Sequence, residues 1–311
     1  MFAFFLLSVV TALLLTKLGT ALSLRKGILD LPSPRGSHSG PMPRIGGIGI
    51  VAGFYLSMGT LWLTNSWVLQ RPMIYTRDLW VMLGSAAGLA ATGLYDDLYR
   101  LSPRGKFLIQ LLFAVLVAGF GIRLESLSIP ALGSMALGVL AIPITVLWLT
   151  GFANVYNFMD GIDGLAAGTG AVYSGFLMFF AWWMGSRELA SVAALLGGSC
   201  LGFFLYNVPR VRTFMGDTGS LFLGMLFALL VVQLAKRTSG AASFPALLLG
   251  CSVFLYDSLF AILRRFRRGE NIFHAHRSHL YQRLVQAGLT HRKVTAWYLL
   301  LHGVVGSLAL T

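Results

Sequence analysis

The chain has 311 residues, of which 56% are apolar and 11% charged, and its 24 lysines and arginines outnumber its 11 aspartates and glutamates. Its mean hydropathy is +0.75. Soluble globular proteins carry about 25% charged residues, so this composition excludes an ordinary water-soluble fold and makes the lipid bilayer the solvent. One bundle of spans of about 20 residues each accounts for the length, so residues 1–311 are predicted to form a single membrane-embedded domain.

Ten apolar stretches are long enough to reach across the hydrocarbon core of a bilayer. They fall at about residues 1–23, 46–69, 79–95, 106–122, 130–152, 165–184, 189–206, 218–235, 242–263 and 294–311. The predicted fold is therefore an all-α, polytopic integral membrane helical bundle of about ten transmembrane helices. Basic residues follow the first apolar run instead of preceding it as in a signal peptide, so that run is expected to remain as a span. The last run reaches Thr311, so a further segment is expected beyond it.

The basic residues predict the orientation of the chain. Of the 23 basic residues in the loops, 17 lie on the side that also holds seven of the acidic residues. Because cytosolic loops are enriched in lysine and arginine, that side is predicted to be cytosolic and the N-terminus periplasmic. The net charge of +13 then reflects topology and attraction to anionic lipid headgroups, and no nucleic-acid-binding module is visible. Five loops on the cytosolic side carry the polar motifs, at 24–45, 96–105, 153–164, 207–217 and 264–293.

The first of these loops contains the sequence LDLPSPRGSHSGPMPRIGG, whose prolines and glycines prevent regular structure. It presents Arg35, His38 and Arg44 from a constrained turn, and Arg35 and His38 are candidates for binding a substrate. A stiff loop that only obeys the positive-inside rule explains the same residues equally well.

Asp96 and Asp97 end the third predicted span, in the sequence GLYDDLYRLSPRGK. Adjacent carboxylates at a membrane boundary repel each other, and they can attract a divalent cation or act as a base. The alternative is a solvated helix end that Arg100, Arg104 and Lys106 neutralise.

The third loop, NVYNFMDGIDGLAAG, places four polar residues at intervals of three: Asn154, Asn157, Asp160 and Asp163. On a helix this spacing forms one polar stripe. A calcium loop of the EF-hand type needs a different spacing, so that interpretation is excluded. The stripe could line a helix contact, but so many polar side chains in an apolar chain favour a site.

The fourth loop ends in TFMGDTGSLFLG, where Asp217 stands between two glycines at the start of a span. Asp217 or Thr218 could simply cap the helix. Small residues at a helix N-terminus can also face phosphate with their backbone N–H groups while the carboxylate holds Mg²⁺.

The fifth loop contains RRFRRGENIFHAHRSHLYQRL, in which His274, His276 and His279 have a spacing that suggests transition-metal ligands. The surrounding arginines, including Arg277, disfavour a dication and favour a diphosphate. An anion-binding loop is therefore preferred over a zinc site, and a basic interfacial loop remains the simpler alternative.

Taken together, the five segments resemble the polyprenyl-phosphate N-acetylhexosamine-1-phosphate transferases, which start the synthesis of peptidoglycan, enterobacterial common antigen and O-antigen. The DD pair, NxxNFxDGIDGL, MGDTGSLFLG and the histidine-rich loop occur in the family order over nearly the whole chain. The HAHRSHLYQRL form is closer to the O-antigen and common-antigen enzymes than to the peptidoglycan enzyme, whose loop has consecutive histidines. The resemblance implies up to 11 helices in a bacterial inner membrane, with the active site on the cytosolic face.

The resemblance implies transfer of an N-acetylhexosamine-1-phosphate, or of a 6-deoxy N-acetyl sugar-1-phosphate, from a UDP-sugar to undecaprenyl phosphate with release of UMP. The implied cofactor is Mg²⁺, which Mn²⁺ could replace, and the metal ligand is Asp217. The implied catalytic residues are Asp96, Asp97, Asp160 and Asp163. The implied substrate-binding residues are Arg35, His38, Asn154, Asn157, His274, His276, Arg277 and His279.

Two other classes of function fit the sequence less well than a transferase. A secondary transporter would suit ten spans with glycine-rich helices, but transporters place ionisable residues near mid-span, whereas here the acids gather at one interface. A noncatalytic scaffold leaves the carboxylate and histidine clusters unexplained. The expected partners are the UDP-N-acetyl sugar, undecaprenyl phosphate and membrane lipid, and the oligomeric state stays open, with a homodimer as one option.

Overall fold

Helices dominate the computed structural model, which describes residues 1–31, 40–68, 76–129, 133–208, 210–237, 244–270 and 278–308. Twelve α-helices are present over these residues. They are α1 (Phe2–Lys26), α2 (Ile48–Leu63), α3 (Arg77–Tyr99), α4 (Pro103–Gly119), α5 (Ala141–Phe158), α6 (Leu165–Trp183), α7 (Arg187–Asn207), α8 (Gly216–Arg237), α9 (Phe244–Leu249), α10 (Ser252–Arg267), α11 (Leu280–Gln286) and α12 (His291–Leu308).

A π-helical turn (Thr64–Val68), a 3₁₀ turn (Gly138–Leu140) and two short antiparallel hairpins complete the secondary structure of the described residues. Strands β1 (Leu29–Asp30) and β2 (Met42–Pro43) flank the first loop, with Leu29 opposite Pro43. Strands β3 (Ser126–Ile129) and β4 (Gly133–Ala136) form the second hairpin, ahead of α5.

Six helical segments of the described residues are long and apolar enough to cross a membrane. They are Phe2–Lys26, Ile48–Ser66, Gly138–Phe158, Leu165–Trp183, Arg187–Asn207 and Gly216–Arg237. The protein is therefore an all-α, multi-pass membrane protein, as predicted. Helices also occupy the other four predicted spans, but the count of ten and the periplasmic N-terminus stay predictions.

The predicted span 242–263 is divided between α9 and α10 at Gly250 and Cys251. A Cβ atom on Gly250 would lie 2.7 Å from the ring of Phe176 and 2.8 Å from the ring of Tyr173. The chain therefore turns where aromatic rings of α6 press against its backbone, since only glycine leaves them room.

Helix α8 is the core of the bundle. Its residues from Thr218 to Leu234 are all buried, and it packs between α3 and α5. A helix that is apolar on every side is typical of a buried position, and here the neighbouring helices cover all of its faces. Helix α8 thus places Asp217, its second residue, at one end of this core.

The helices approach closely where glycines face a neighbouring backbone. In α2, a Cβ on Gly53 would lie 2.7 Å from the Cα of Ala12 in α1. Small residues at such contacts are the usual means by which membrane helices pack. Gly59, two turns further along α2, has no atom within 4 Å of the corresponding position.

We expect Gly53→Ala to destabilise the bundle by about 1 to 3 kcal/mol, because the added methyl group would overlap backbone that cannot move aside. Gly59→Ala is the matched control and should be neutral or stabilise the helix by up to about 1 kcal/mol. Thermal unfolding of both purified variants in detergent checks this. Equal unfolding temperatures for the two would show that the contact between α1 and α2 tolerates a side chain.

Candidate active site

Three carboxylates from two helices meet at one end of the bundle. Asp96 and Asp97 lie in the last turn of α3, and Asp217 lies in the first turn of α8. One oxygen of each carboxylate lies within 4.8 Å of the others, and both α3 residues are buried. Such oxygen-only clusters suit hard divalent cations.

Two glycines bring α3 and α8 together at this point. A Cβ on Gly93 of α3 would collide with the backbone of Asp217 and Thr218. Gly216 has φ +67°, and a Cβ there would lie 2.5 Å from a carboxylate oxygen of Asp97. Neither position has room for a side chain, and the φ of Gly216 lies in the left-handed region that glycine adopts without strain.

The carboxylate of Asp97 caps the N-terminus of α8. Its Oδ1 accepts a hydrogen bond from the backbone N–H of Asp217 at 3.0 Å. Its Oδ2 accepts from the backbone N–H and the hydroxyl of Thr218, at 2.9 and 2.6 Å. Arg44 Nε lies 3.2 Å from Oδ1 as an ion pair. Since a carboxylate has about four lone-pair sites, the oxygens of Asp97 are fully used.

Lys106 joins the other two carboxylates. Its Nζ lies 3.3 Å from Asp96 Oδ2 and also donates a hydrogen bond to Asp217 Oδ2. Lys106 occupies the first turn of α4, which Ser102 caps by accepting from Gly105 N at 3.1 Å. Ser102 followed by Pro103 is a sequence pattern that starts a helix and so fixes where Lys106 is placed.

Arg44 is held against the carboxylates by backbone pairing between two loops. Phe214 N donates to Pro43 O at 2.8 Å, and Gly46 N donates to Phe214 O at 3.0 Å. Besides Asp97, Arg44 faces Asp96 at 3.7 Å. Arg44 and Lys106 thus offset part of the negative charge that the three carboxylates bring together.

The two asparagines of the predicted polar stripe take different positions. Asn157 Nδ2 donates to Asp217 Oδ1 at 3.0 Å and to Ser220 Oγ at 2.8 Å, so α5 contributes directly to the cluster. Asn154 Nδ2 instead donates to the buried Gln110 of α4 and to the backbone of Thr150. Asn154 therefore joins α4 to α5.

A cavity of about 390 Å³ opens beside the carboxylate cluster. Pockets for small organic ligands have volumes of about 300 to 1,000 Å³. The polar residues that line it come from four of the five predicted loops: Asp30, Arg44, Asn157, Asp160, Asp163, Asn207, Thr213, Asp217, Gln282, Gln286 and His291. The cavity thus joins these four loops into one site, and the carboxylate cluster beside it adds the loop that carries Asp96 and Asp97.

Asp160 and Asp163 both line this cavity but differ in environment. The pKa of Asp160 is raised to about 7, mainly by burial and in smaller part by the negative charges of Asp217 and Asp97. A carboxyl group that titrates near neutrality can exchange a proton at physiological pH. Asp163 Oδ2 lies 2.9 Å from His291 Nδ1, and its backbone carbonyl accepts from the hydroxyl of Thr295 at 2.8 Å.

The remaining predicted residues are placed elsewhere or lie outside the described residues. His279 is 4% exposed, is the N-cap residue of α11, and faces Asp257 at 3.3 Å; it is not among the residues that line the cavity. The predicted substrate-binding residues outside the described part of the chain are Arg35, His38, His274, His276 and Arg277.

Residues 79–235 match the family described as Glycosyl transferase family 4. A Bacillus subtilis (strain 168) protein named "Probable undecaprenyl-phosphate N-acetylglucosaminyl 1-phosphate transferase" is 36% identical over 296 residues, covering 93% of this chain and 78% of that protein. The chain belongs to glycosyl transferase family 4. The predicted membership of the polyprenyl-phosphate N-acetylhexosamine-1-phosphate transferases is confirmed.

Two further relatives support the same family. The decaprenyl-phosphate N-acetylglucosaminephosphotransferase of Mycobacterium tuberculosis (strain CDC 1551 / Oshkosh) is 31% identical, covering 95% of this chain and 79% of the relative. The undecaprenyl-phosphate alpha-N-acetylglucosaminyl 1-phosphate transferase of Escherichia coli (strain K12) is 26% identical, covering 86% and 71%. This family 4 chain is therefore an enzyme, a transferase of the membrane.

Sequence reasoning did not assign roles to several residues of the transferase site. Lys106 entered as a neutralising neighbour of Asp96 and Asp97, but its contact with Asp217, 111 residues away, has no local signal. His291 lies in the fifth loop beyond its histidine-rich sequence and belongs to no motif. The proline-rich loop did signal Arg44, because it holds a basic residue on constrained backbone.

We expect Asp97→Asn to destabilise the transferase by about 2 kcal/mol or more, because an amide cannot accept all the donors that face Asp97 and Arg44 loses its charged partner. Asp96→Asn should cost less than about 1 kcal/mol, since its carbonyl oxygen still accepts from Leu101 N, which lies 2.8 Å away. Unfolding temperatures of the two purified variants measure the difference. A larger loss for Asp96→Asn would contradict the capping role of Asp97.

Proposed function

We propose that this protein transfers N-acetylhexosamine-1-phosphate from a UDP-sugar to undecaprenyl phosphate and releases UMP. The observation that carries the proposal is the cluster of Asp96, Asp97 and Asp217, flanked by Lys106 and Arg44, at the edge of the 390 Å³ cavity. Both substrates are anionic, so a site that joins them needs cations against their repulsion. Phosphoryl transfer otherwise asks a protein mainly for positioning.

In the proposed reaction, an oxygen of the lipid phosphate attacks the β-phosphorus of the UDP-sugar. A bond forms between that oxygen and the phosphorus, and the bond to the bridging oxygen breaks, so that UMP leaves with the bridging oxygen. Any proton on the attacking phosphate passes to a carboxylate. Asp96 suits this step better than Asp97, whose oxygens are occupied by the N-terminus of α8 and Arg44.

The donor occupies the cavity in this proposal. Asn157, Asp160 and Asp163 line it, with His291 paired to Asp163. The relatives named above act on N-acetylglucosamine by their names, which favours that sugar over its 6-deoxy counterparts. A pKa of about 7 lets Asp160 lie near a diphosphate in its neutral form, where an ionised carboxylate would repel it.

The carboxylate cluster fits Mg²⁺, with Mn²⁺ as a substitute. Its donors are all oxygens, and they lie within 4.8 Å of one another. Asp217 would be the principal ligand, with Asp96 beside it, because Asp97 has no free lone pair. When bound, a divalent cation neutralises charge on the diphosphate and stabilises the leaving phosphate. Lys106 supplies further positive charge at Asp96 and Asp217.

The acceptor explains why the site belongs to a membrane protein. An isoprenoid tail stays in the bilayer while its phosphate lies at the depth of the lipid headgroups. The site must therefore open near the ends of the membrane helices, at that same depth. We place this end of the bundle at the cytosolic face of the bacterial inner membrane, from the positive-inside rule. The product would start an O-antigen or a related cell-envelope polysaccharide, and the histidine-rich loop would hold the diphosphate or sugar.

The direct test is to incubate the purified protein with undecaprenyl phosphate, Mg²⁺ and each of a panel of UDP-sugars while UMP release is measured. We expect UMP with UDP-N-acetylglucosamine, with a lipid-linked sugar diphosphate formed in equal amount. Omission of the lipid is the control for simple hydrolysis. UMP release that does not depend on the lipid, or none with any UDP-sugar, would refute the transferase proposal.

We expect Asp217→Asn to remove nearly all turnover, by about 100-fold or more, because the amide preserves shape but removes the charge that holds the metal. The residual activity should need a much higher Mg²⁺ concentration for half-maximal rate. Ser220→Ala is the control, since it removes a neighbouring hydroxyl that Asn157 contacts without removing a carboxylate. An unchanged Mg²⁺ requirement in Asp217→Asn would assign the metal to other residues.

A further inference from the structure

A second buried carboxylate, Asp257, lies outside the cluster described above. It belongs to α10, within the predicted ninth span, and is 1% exposed. An ionisable side chain in an apolar helix is costly unless polar partners compensate for the lost water. Its partners therefore indicate what it does.

Three hydrogen-bond donors and the imidazole ring of His279 converge on the Asp257 carboxylate. Oδ1 accepts from Leu280 N at 2.7 Å, and His279 Nδ1 lies 3.3 Å from the same oxygen. Oδ2 accepts from Tyr281 N at 3.1 Å and from the hydroxyl of Tyr298 at 2.6 Å. Asp257 thus fixes the start of α11 from α10 and ties both helices to α12.

Helix α11 in turn contacts the loop that carries Asp160. The hydroxyl of Tyr281 donates to Phe158 O at 2.9 Å. The same hydroxyl lies against Gly161, where a Cβ atom would collide with it. The chain from Asp257 through Tyr281 therefore reaches the residues on either side of Asp160.

Helix α11 also forms part of the cavity wall. Gln282, Val285 and Gln286 line the cavity together with Asp160 and Asp163. A shift of α11 would therefore change the shape of the cavity, although Asp257 itself is not among its lining residues.

We propose that Asp257 is a positioning residue for the nucleotide sugar: by fixing α11 and, through Tyr281, the 158–161 segment, it sets the affinity of the cavity for its donor. This inference rests on the proposed function for the identity of the ligand. The contacts that support it are independent of the carboxylate cluster.

The test compares Asp257→Asn with the wild type in the UMP-release assay. Both carboxylate oxygens of Asp257 accept hydrogen bonds in the wild type, whereas the amide of asparagine has only one acceptor oxygen. The variant therefore loses part of the bonding that holds the start of α11. We expect the KM for UDP-N-acetylglucosamine to rise by roughly tenfold or more, while the KM for undecaprenyl phosphate changes by less than about twofold. Tyr281→Phe, which keeps the contacts of Asp257 but loses the bond to Phe158, should shift the same KM in the same direction.

Asp78→Asn is the matched control, because Asp78 also bonds across the bundle, to Gln233 at 3.1 Å and Lys236 at 3.8 Å, but is not among the lining residues of the cavity. It should change stability and leave both KM values unaltered. A rise in donor KM confined to Asp257→Asn and Tyr281→Phe supports the positioning role. Donor KM values within about twofold of wild type in both variants would overturn it.

Hydrogen exchange separates this inference from the proposed function. In Asp257→Asn, amide exchange should accelerate in 278–290 and in 158–164, and in Asp78→Asn it should do so in neither segment. If Asp257→Asn does not fold, Tyr281→Phe carries the same measurement for 158–164. Exchange unchanged in that segment would overturn the coupling. If the wild type shows no transferase activity but amide exchange in 158–164 still accelerates in Asp257→Asn, the proposed reaction is refuted and the coupling through α11 is not.

Discussion

The arrangement of the site depends on the bond between the Asp97 carboxylate and the first turn of α8. Helix α8 is buried from Thr218 to Leu234, so the unpaired N–H groups of its first turn have little access to water. Such groups are costly when they stay unsatisfied, and a carboxylate from α3 satisfies two of them. Because the same bond fixes where α8 begins, it also fixes Asp217 beside Asp96.

The positive charges follow from this constraint. Three carboxylates within 4.8 Å repel one another, and burial strengthens the repulsion. Arg44 and Lys106 reach the cluster from an irregular loop and from the first turn of α4. Neither residue belongs to α3 or α8, so the cluster also holds four parts of the chain together. The polar site therefore also serves as a packing contact that joins the helices at that end of the bundle.

The sequence predicted more of the acids than of their partners, for a physical reason. Carboxylates are rare in this chain, so Asp96, Asp97, Asp160 and Asp217 stood out, and family order tied them together. Basic residues are common in cytosolic loops, so nothing marked Lys106 apart from its neighbours. His279 shows the converse: its spacing from His276 suggested a shared ligand, but local spacing does not reveal which histidine the tertiary fold buries. Likewise, hydropathy predicted one continuous span over 242–263. It could not reveal the break at Gly250, because that break depends on aromatic rings of α6 that pack against the glycine.

Asp97 and Asp257 use the same interaction at two places on one side of the bundle. Each is a buried carboxylate on one helix that accepts two backbone N–H groups at the start of another. A carboxylate suits this role better than a serine or asparagine, because it offers two oxygens and a negative charge to a positive helix end. The positions of the site residues thus depend on Asp97 and Asp257, whose carboxylate oxygens already accept hydrogen bonds from the protein itself. A substitution at Asp97 or Asp257 can therefore lower activity by disturbing the structure and not the chemical step. Measuring folding and substrate affinity together with activity distinguishes the two causes.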